Sequence, residues 1–399
     1  MTGDTVQGPT WAELYGPPES AAARHPWWQK RRDELLRIGQ EHSCAFVYDG
    51  HEVKAAAAKL RALKSVGRIF YAMKANPNAE LLRIIGAANL DFECVSRGEI
   101  EHVLASVSDL ARGRILYTPN FAPREEYAWA YEQGVTVTID NLYVLQQWPG
   151  IFRGREVLVR VDTGTGRGHH LHVHTAGEHA KFGIPLDELA DLAPLASALE
   201  CRVIGLHAHT GSGVFEVDSW PQTARLLLQA ARYFPQLRIL NIGGGLGVPE
   251  RREQAELDLV QFDAALGAVH ASAPGLEFWL EPGRFLVAAA GVLLVRVTQT
   301  KAKGATRYVG VTTGMNSLVR PALYGSWHEI VNLTRLNEPA TELVNVVGPI
   351  CESSDVLGHD RLLPPSHEGD VLLIANAGAY GRSMSSNYNL RAPAVERVL

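Results

Sequence analysis

A chain of 399 residues, 46% hydrophobic and 20% charged, has room for two domains and a large core. Its net charge of −5 and lack of a basic block argue against nucleic acid as a partner, and no apolar run approaches the ~20 residues that span a bilayer. The cysteines Cys44, Cys94, Cys201 and Cys351 are scattered with no CxxC pair, which points to a reducing cytoplasm and away from a structural zinc.

In chain order, residues 1–25 are rich in Gly, Pro and Ala and read as a surface arm without a secretory signal. RHPWWQKRRDELLRIGQEH (24–42) has the spacing of an amphipathic helix, with Trp28, Leu35, Leu36 and Ile38 as its apolar positions. SCAFVYD (43–49) reads as a short strand. Eight apolar runs then follow: RIFYAMKA (68–75), DFECVS (91–96), RILYTP (114–119), VTVTID (135–140), EVLVRVD (156–162), RVIGLHAH (202–209), LRILNIGGG (237–245) and LEFWLEPG (276–283). Each is separated from the next by enough chain for a helix. Strands apolar on both faces and alternating with helices indicate a parallel sheet, and eight such units in about 220 residues have the count and length of a β/α barrel.

After Arg284 the pattern changes. GVLLVRVTQTKAK (291–303), TRYVGVTTG (306–314), ELVNVVGPICE (342–352) and GDVLLIANAG (369–378) are β-rich without regular helices between them, and LLPPSHEG (362–369) reads as an exposed loop. The expected fold is α/β: residues 1–45 pack with the β domain, 46–288 form a (β/α)8 TIM barrel, and 289–399 form a C-terminal antiparallel β domain.

A β/α barrel carries its chemistry at the C-terminal ends of its strands. Lys74 ends the first run, where a desolvated amine can attack a carbonyl, and pyridoxal phosphate (PLP) is the common aldehyde held this way. Gly243, Gly244 and Gly245 follow the seventh run and Gly283 with Arg284 the eighth, the loops where barrels bind phosphate. Glu281 reads either as a carboxylate satisfying local backbone or as the partner of a pyridine nitrogen. His209, in HAHTGSG (207–213), is either structural or stacked on a cofactor ring, with Ser212 and Gly213 near the phosphate. In the β-rich part, Arg320 with Tyr324, Cys351 with Glu352, and Tyr380 with Tyr388 form three polar clusters, and with Arg284 they suggest a zwitterionic substrate bearing several carboxylates. HHLHVH (169–174) alternates His170, His172 and His174, but no Cys or Asp completes a set; it reads as a loop, and no metal is expected.

The motifs YAMKAN, HAHTGSG, NIGGGLG, EPGR, GMNSLVRPALY, GPICESSD and GAYGRSMSSNYN stand in the order found in fold-type III PLP-dependent decarboxylases. Over roughly residues 45–395 the chain resembles that family, most of all its diaminopimelate decarboxylase branch, and the wording of GMNSLVRPALYGSWHEI and HTAGEHAKFGI is most similar to the decarboxylase half of bifunctional aspartokinase–diaminopimelate decarboxylases. The resemblance implies an alanine racemase-like barrel with a β domain and a homodimer with shared sites. Lys74 would bond the cofactor, His209 would stack on it, and Glu281 would hold the pyridine nitrogen. Ser212, Gly244, Gly245, Gly283 and Tyr380 would surround the phosphate. Arg284, Arg320 and Tyr324 would grip the distal carboxylate, Glu352 would bind the distal ammonium, and Cys351 would donate a proton, the last two from the other subunit. The implied reaction takes meso-2,6-diaminopimelate to L-lysine and carbon dioxide. Open beside it stand decarboxylation of a related carboxyl-bearing diamino acid, a racemase, and a non-catalytic PLP-binding protein.

Overall fold

A computed structural model describes residues 9–10, 26–164, 167–168, 180–251 and 254–399. The chain divides into two compact units. One comprises residues 53–248 and 256–286. The other comprises the described residues up to Glu52, residues 249–255 and residues 287–399. Residues 46–52 and 249–255 thus join the β-rich unit, whereas the sequence reading placed them inside a contiguous 46–288.

In the first unit all eight apolar runs are strands: β1 (Arg68–Ala72), β2 (Asp91–Cys94), β3 (Ile115–Tyr117), β4 (Thr136–Ile139), β5 (Glu156–Asp162), β6 (Arg202–His207), β7 (Ile239–Asn241) and β8 (Glu277–Leu280). Each pairs in parallel with the next, and β8 returns to β1 through Trp279↔Arg68 and Leu280↔Ile69, which closes the barrel. Closure leaves the barrel strands no open edge. Phe70, Leu116, Leu158, Ile204, Ile239 and Trp279 fill the interior as one cluster, so the barrel is a packed core with its functional surface at one end. After β1 and β2 a side-chain-capped helix begins within seven residues of the strand end. Asn78 accepts hydrogen bonds from the Glu80 and Leu81 N–H groups at the start of the helix Ala79–Ala87, and Ser96 caps Arg97–Ser106. Lys74 therefore sits on a single 3-10 turn, Met73–Ala75, between strand and helix.

The second unit is built on the strand Gly291–Lys303. It pairs antiparallel with Cys44–Tyr48, Thr306–Val311 and Val371–Ile374. Two pairings are parallel, Thr306–Val311 with Glu342–Val347 and Cys44–Tyr48 with Val395–Val398, so the sheet is antiparallel-rich and not purely antiparallel. Three strands escaped the sequence reading: Ile330–Asn332, Val356–Leu363 and Val395–Val398. The first is short, and the other two carry charges that blur any apolar run. Val356–Leu363 also takes in the start of the expected LLPPSHEG loop, where Leu363 and Pro364 are buried and residues 367–369 are exposed. The expected helix over 24–42 is two helices, Trp27–Lys30 and Arg32–Glu41, broken at Arg31, whose guanidinium pairs with Glu34 at 2.8 Å and Asp49 at 3.2 Å. Trp28 and Leu35 enter the core with Trp27, Val47, Leu294 and Leu373, and Leu36 and Ile38 pack on its margin. Among the described residues no helix is long and apolar enough to cross a membrane.

Candidate active site

The C-terminal ends of the barrel strands bring polar groups together inside an apolar shell. Lys74 Nζ, on the turn after β1, ion-pairs with Glu93 of β2, and the Thr118 hydroxyl beyond β3 donates to the other Glu93 oxygen. Glu281, one residue past β8, is buried. Its Oε1 accepts from Asn241 Nδ2 at 2.7 Å, and its Oε2 lies 3.2 Å from His207 Nε2, off the hydrogen-bond axis. Burial pushes the Glu281 carboxyl up, but the His207 imidazole, then Lys74, outweigh it and hold the group down at about 2. The chain thus keeps a permanent carboxylate, an acceptor-only group, at the barrel mouth.

His209 follows β6. Burial first, then the cations Arg160 and Lys74, pull its imidazole down to about 3 against the opposing charge of Glu281, so the ring is neutral at physiological pH. Its Nδ1 accepts the Gly244 N–H at 3.1 Å, which puts the ring proton on Nε2. The glycine loop after β7 is packed too tightly for side chains. Gly243 and Gly245 have φ of 70° and 89°, and a Cβ on Gly244 would stand 2.0 Å from the Glu281 carbonyl oxygen. Asn241 ties loop to carboxylate: its Oδ1 accepts the Gly243 N–H at 3.0 Å while its Nδ2 holds Glu281. Trp220 Nε1 donates to the Gly244 carbonyl at 2.9 Å beneath the loop. Gly283 backs onto Ala72 and Ala75, which flank Met73 and Lys74. Arg284 Nη2 donates to Ser212 Oγ at 3.0 Å, which groups this arginine with a residue expected at the phosphate.

A Gly244→Ala variant therefore meets backbone, which cannot yield as a side-chain end can. Overpacking of this kind costs about 1–3 kcal/mol. A lowered melting temperature together with weaker PLP retention on dialysis is expected; a variant that melts and retains cofactor as wild type does would refute the packing account.

Sequence reasoning missed Glu93, Thr118, Asn241, His207 and Arg160. A signal existed for most of them: each is a polar residue at or near the C-terminal end of an otherwise apolar barrel strand, the position where this architecture keeps its chemistry. Arg160, on β5, lies among Glu281, Asp140, Glu93 and Asp162, and burial lowers its pKa against the pull of those carboxylates. Glu99 joins the same field from the helix behind β2. Its N–H donates to Ser96 Oγ at 3.2 Å and its carboxylate accepts the Val95 N–H at 2.7 Å, close to a capping box. Burial, then the Glu93 charge, raises Glu99 from 4.5 to about 7. A carboxyl raised on folding stabilises the fold in its protonated form, fully below about 4.5, and loses that contribution as pH rises through about 7. Glu99→Gln keeps an acceptor for Val95 and removes the charge. Its melting temperature relative to wild type should rise between about pH 5 and pH 8; an offset independent of pH would contradict the assignment.

The remaining expected residues lie in the β-rich unit. Arg320 opens the short helix Arg320–Tyr324, which also carries Tyr324. Arg320 is 2% exposed, with Nη2 on Glu250 Oε1 at 2.9 Å and Nη1 on His328 Nε2 at 3.1 Å. Cys351 is exposed, and its backbone N–H donates to Asn389 Oδ1 at 2.8 Å. Glu352 accepts from the Tyr388 hydroxyl. Tyr380 has a left-handed φ of 57° just after Gly378, where a Cβ would meet the Val287 carbonyl oxygen at 1.8 Å. The histidine run 169–174 lies outside the described residues; among those described, no cluster of three metal-ligating side chains occurs.

Residues 51–288 match the family model of the pyridoxal-dependent decarboxylase, pyridoxal binding domain. A diaminopimelate decarboxylase of Methanothermobacter thermautotrophicus is 37% identical over 336 residues, 81% of this chain and 78% of the relative. That of Deinococcus radiodurans is 36% identical over 86% of both chains. The crystal structure of diaminopimelate decarboxylase from Helicobacter pylori complexed with L-lysine superposes with a TM-score of 0.83 at 27% identity, covering 91% of this chain and 93% of that one. The chain belongs to the diaminopimelate decarboxylase family of pyridoxal-dependent decarboxylases.

The residues of this decarboxylase fit PLP. Lys74 supplies a primary amine at the mouth, Glu281 a fixed anion that suits a pyridinium N–H, and the loop 243–245 a cradle of backbone in which any Cβ would collide. The family resemblance and the alanine racemase-like barrel read from the sequence are both confirmed.

Proposed function

We propose that this decarboxylase converts meso-2,6-diaminopimelate to L-lysine and carbon dioxide, the closing step of lysine biosynthesis, as a cytoplasmic homodimer. The observation that carries the reading is the Glu281 carboxylate, held ionised by its neighbours and clamped by Asn241. PLP, when bound, takes up the electron pair released as the carbon–carboxylate bond breaks, and a protonated pyridine nitrogen makes it a strong sink. Each step beyond that belongs to side chains of this chain. Lys74 Nζ would hold the cofactor covalently. Glu281 would accept the pyridinium N–H. Neutral His209 offers a ring face without adding positive charge. Gly244, Gly245, Gly283, Ser212 and Tyr380 would surround the phosphate, and Arg284, whose Nη2 donates to Ser212 Oγ in this structure, would grip the distal carboxylate together with Arg320 and Tyr324. Glu352 takes the substrate's distal ammonium. The Cys351 thiol returns a proton to the carbon that lost its carboxylate. Dicarboxylate-handling relatives support this substrate over simple monocarboxylic diamino acids, and four free cysteines, three of them buried, support a reducing compartment.

The test is direct. Purified, PLP-loaded protein with meso-diaminopimelate should release lysine and carbon dioxide in equal amounts at about 1 s⁻¹ or faster, read by mass spectrometry. No turnover by protein that carries PLP on Lys74 would overturn the substrate. For the dimer, inactive Lys74→Ala and Cys351→Ala variants mixed and reassembled should recover part of the activity; mixed dimers without recovery would place Cys351 outside the partner's site.

A further inference from the structure

Three consecutive residues, Pro249 to Arg251, are strapped onto the β-rich unit by three different contacts. The Pro249 carbonyl accepts from Asn376 Nδ2 at 2.9 Å, the Glu250 carboxylate meets Arg320 at 2.9 Å, and the Arg251 guanidinium lies 3.8 Å from the centre of the Trp327 ring. Gln254 Oε1 further accepts the backbone N–H groups of Glu250 and Arg251, at 2.7 and 3.1 Å. The middle contact is asymmetric. Arg320 is 2% exposed and cannot leave, because His328 Nε2 accepts from its Nη1 while His328 Nδ1 donates to the Ala375 carbonyl at 2.8 Å. The Glu250 side chain is 24% exposed and hangs from a backbone held independently of its carboxylate. A rotation about its side-chain bonds would free the Arg320 guanidinium without unfolding the strap.

We infer that Glu250 is a displaceable counter-ion that occupies the carboxylate-binding position of Arg320 and tunes the affinity for the carboxylate that substrate and product share. The inference rests on the reading of Arg320 given under Proposed function. A buried guanidinium needs an anion beside it, and Glu250 supplies one when no ligand does. A ligand carboxylate then exchanges with an internal one. Its apparent affinity is lower by the fraction of time that Glu250 is away, and the returning Glu250 expels the product carboxylate. A diamine with no carboxylate does not enter the exchange.

The experiment uses the PLP-loaded enzyme with meso-diaminopimelate as substrate, and L-lysine and 1,5-diaminopentane as inhibitors. Glu250→Gln keeps the side-chain shape and removes the competing charge. KM for diaminopimelate and Ki for L-lysine should each fall about tenfold, the inhibition by 1,5-diaminopentane should stay within about twofold, and L-lysine should raise the variant's melting temperature more than that of wild type. A purely structural ion pair would lower the melting temperature and leave both constants unchanged or weaker, and that result overturns the inference. If Glu250→Gln does not fold, Glu250→Asp, whose shorter carboxylate reaches Arg320 less well, should shift both constants in the same direction, and no shift in it has the same adverse meaning. Absence of diaminopimelate turnover in wild type would instead sink the substrate reading itself, and this inference with it, whereas turnover in wild type with unshifted constants in the variants sinks the inference alone.

Discussion

Lys74→Ala should abolish turnover to within measurement, a loss of at least about 10²–10⁴-fold in kcat, the range that a directly participating amine commands. The physical ground is local. Lys74 stands on one 3-10 turn between a barrel strand and a capped helix, and its Nζ is held by Glu93, which the Thr118 hydroxyl holds in turn. No other lysine among the described residues occupies a strand end at this mouth. The fold should tolerate the change, because the Lys74 side chain is 40% exposed. The check is twofold: kcat, and peptide mapping after borohydride reduction of the PLP-loaded enzyme, where the cofactor mass should sit on the peptide containing Lys74. Cofactor mass on a different lysine in wild type would refute the assignment.

Glu281→Gln should cost about 10²–10³-fold in kcat, comparable with removal of one preorganised electrostatic contact, while KM changes far less. The amide keeps the volume and an acceptor for Asn241 but loses the charge that His207 and Lys74 stabilise. The consequence falls on the chemical step, since it is the developing negative charge that a protonated ring absorbs. Glu281→Asp should recover part of the rate if charge is the issue. Equal losses in Gln and Asp variants, or a loss confined to KM, would make Glu281 a packing residue.

The two variants bear on different parts of what the sequence disclosed. Lys74, His209, the glycine triplet and Glu281 were legible because each ends an apolar run at regular spacing, and strand direction alone then puts them at one end of a barrel. Their helpers were less legible. Asn241 and Glu93 lie inside strand runs and look like interruptions of an apolar pattern until the closed barrel turns them toward Glu281 and Lys74. Glu250 was invisible in the sequence, since nothing local distinguishes it among the charges of residues 250–256; its meaning comes from Arg320, 70 residues away. In the β-rich unit, longer strands with apolar runs were found, while a three-residue strand and two strands that carry charges were not.

By itself the sequence determined the fold class, the eight barrel strands, the cofactor chemistry and the family, because hydrophobic periodicity and short motifs are local properties that survive without knowledge of neighbours. Tertiary structure alone decided the charge states and the pairings. Glu281 is held low and Glu99 high although loss of water pushes both up, because one faces His207 and Lys74 and the other faces Glu93. Arg284 rests on Ser212 and Arg320 on Glu250 for the same reason: electrostatic partners are chosen by distance in space, which residue spacing along the chain does not encode.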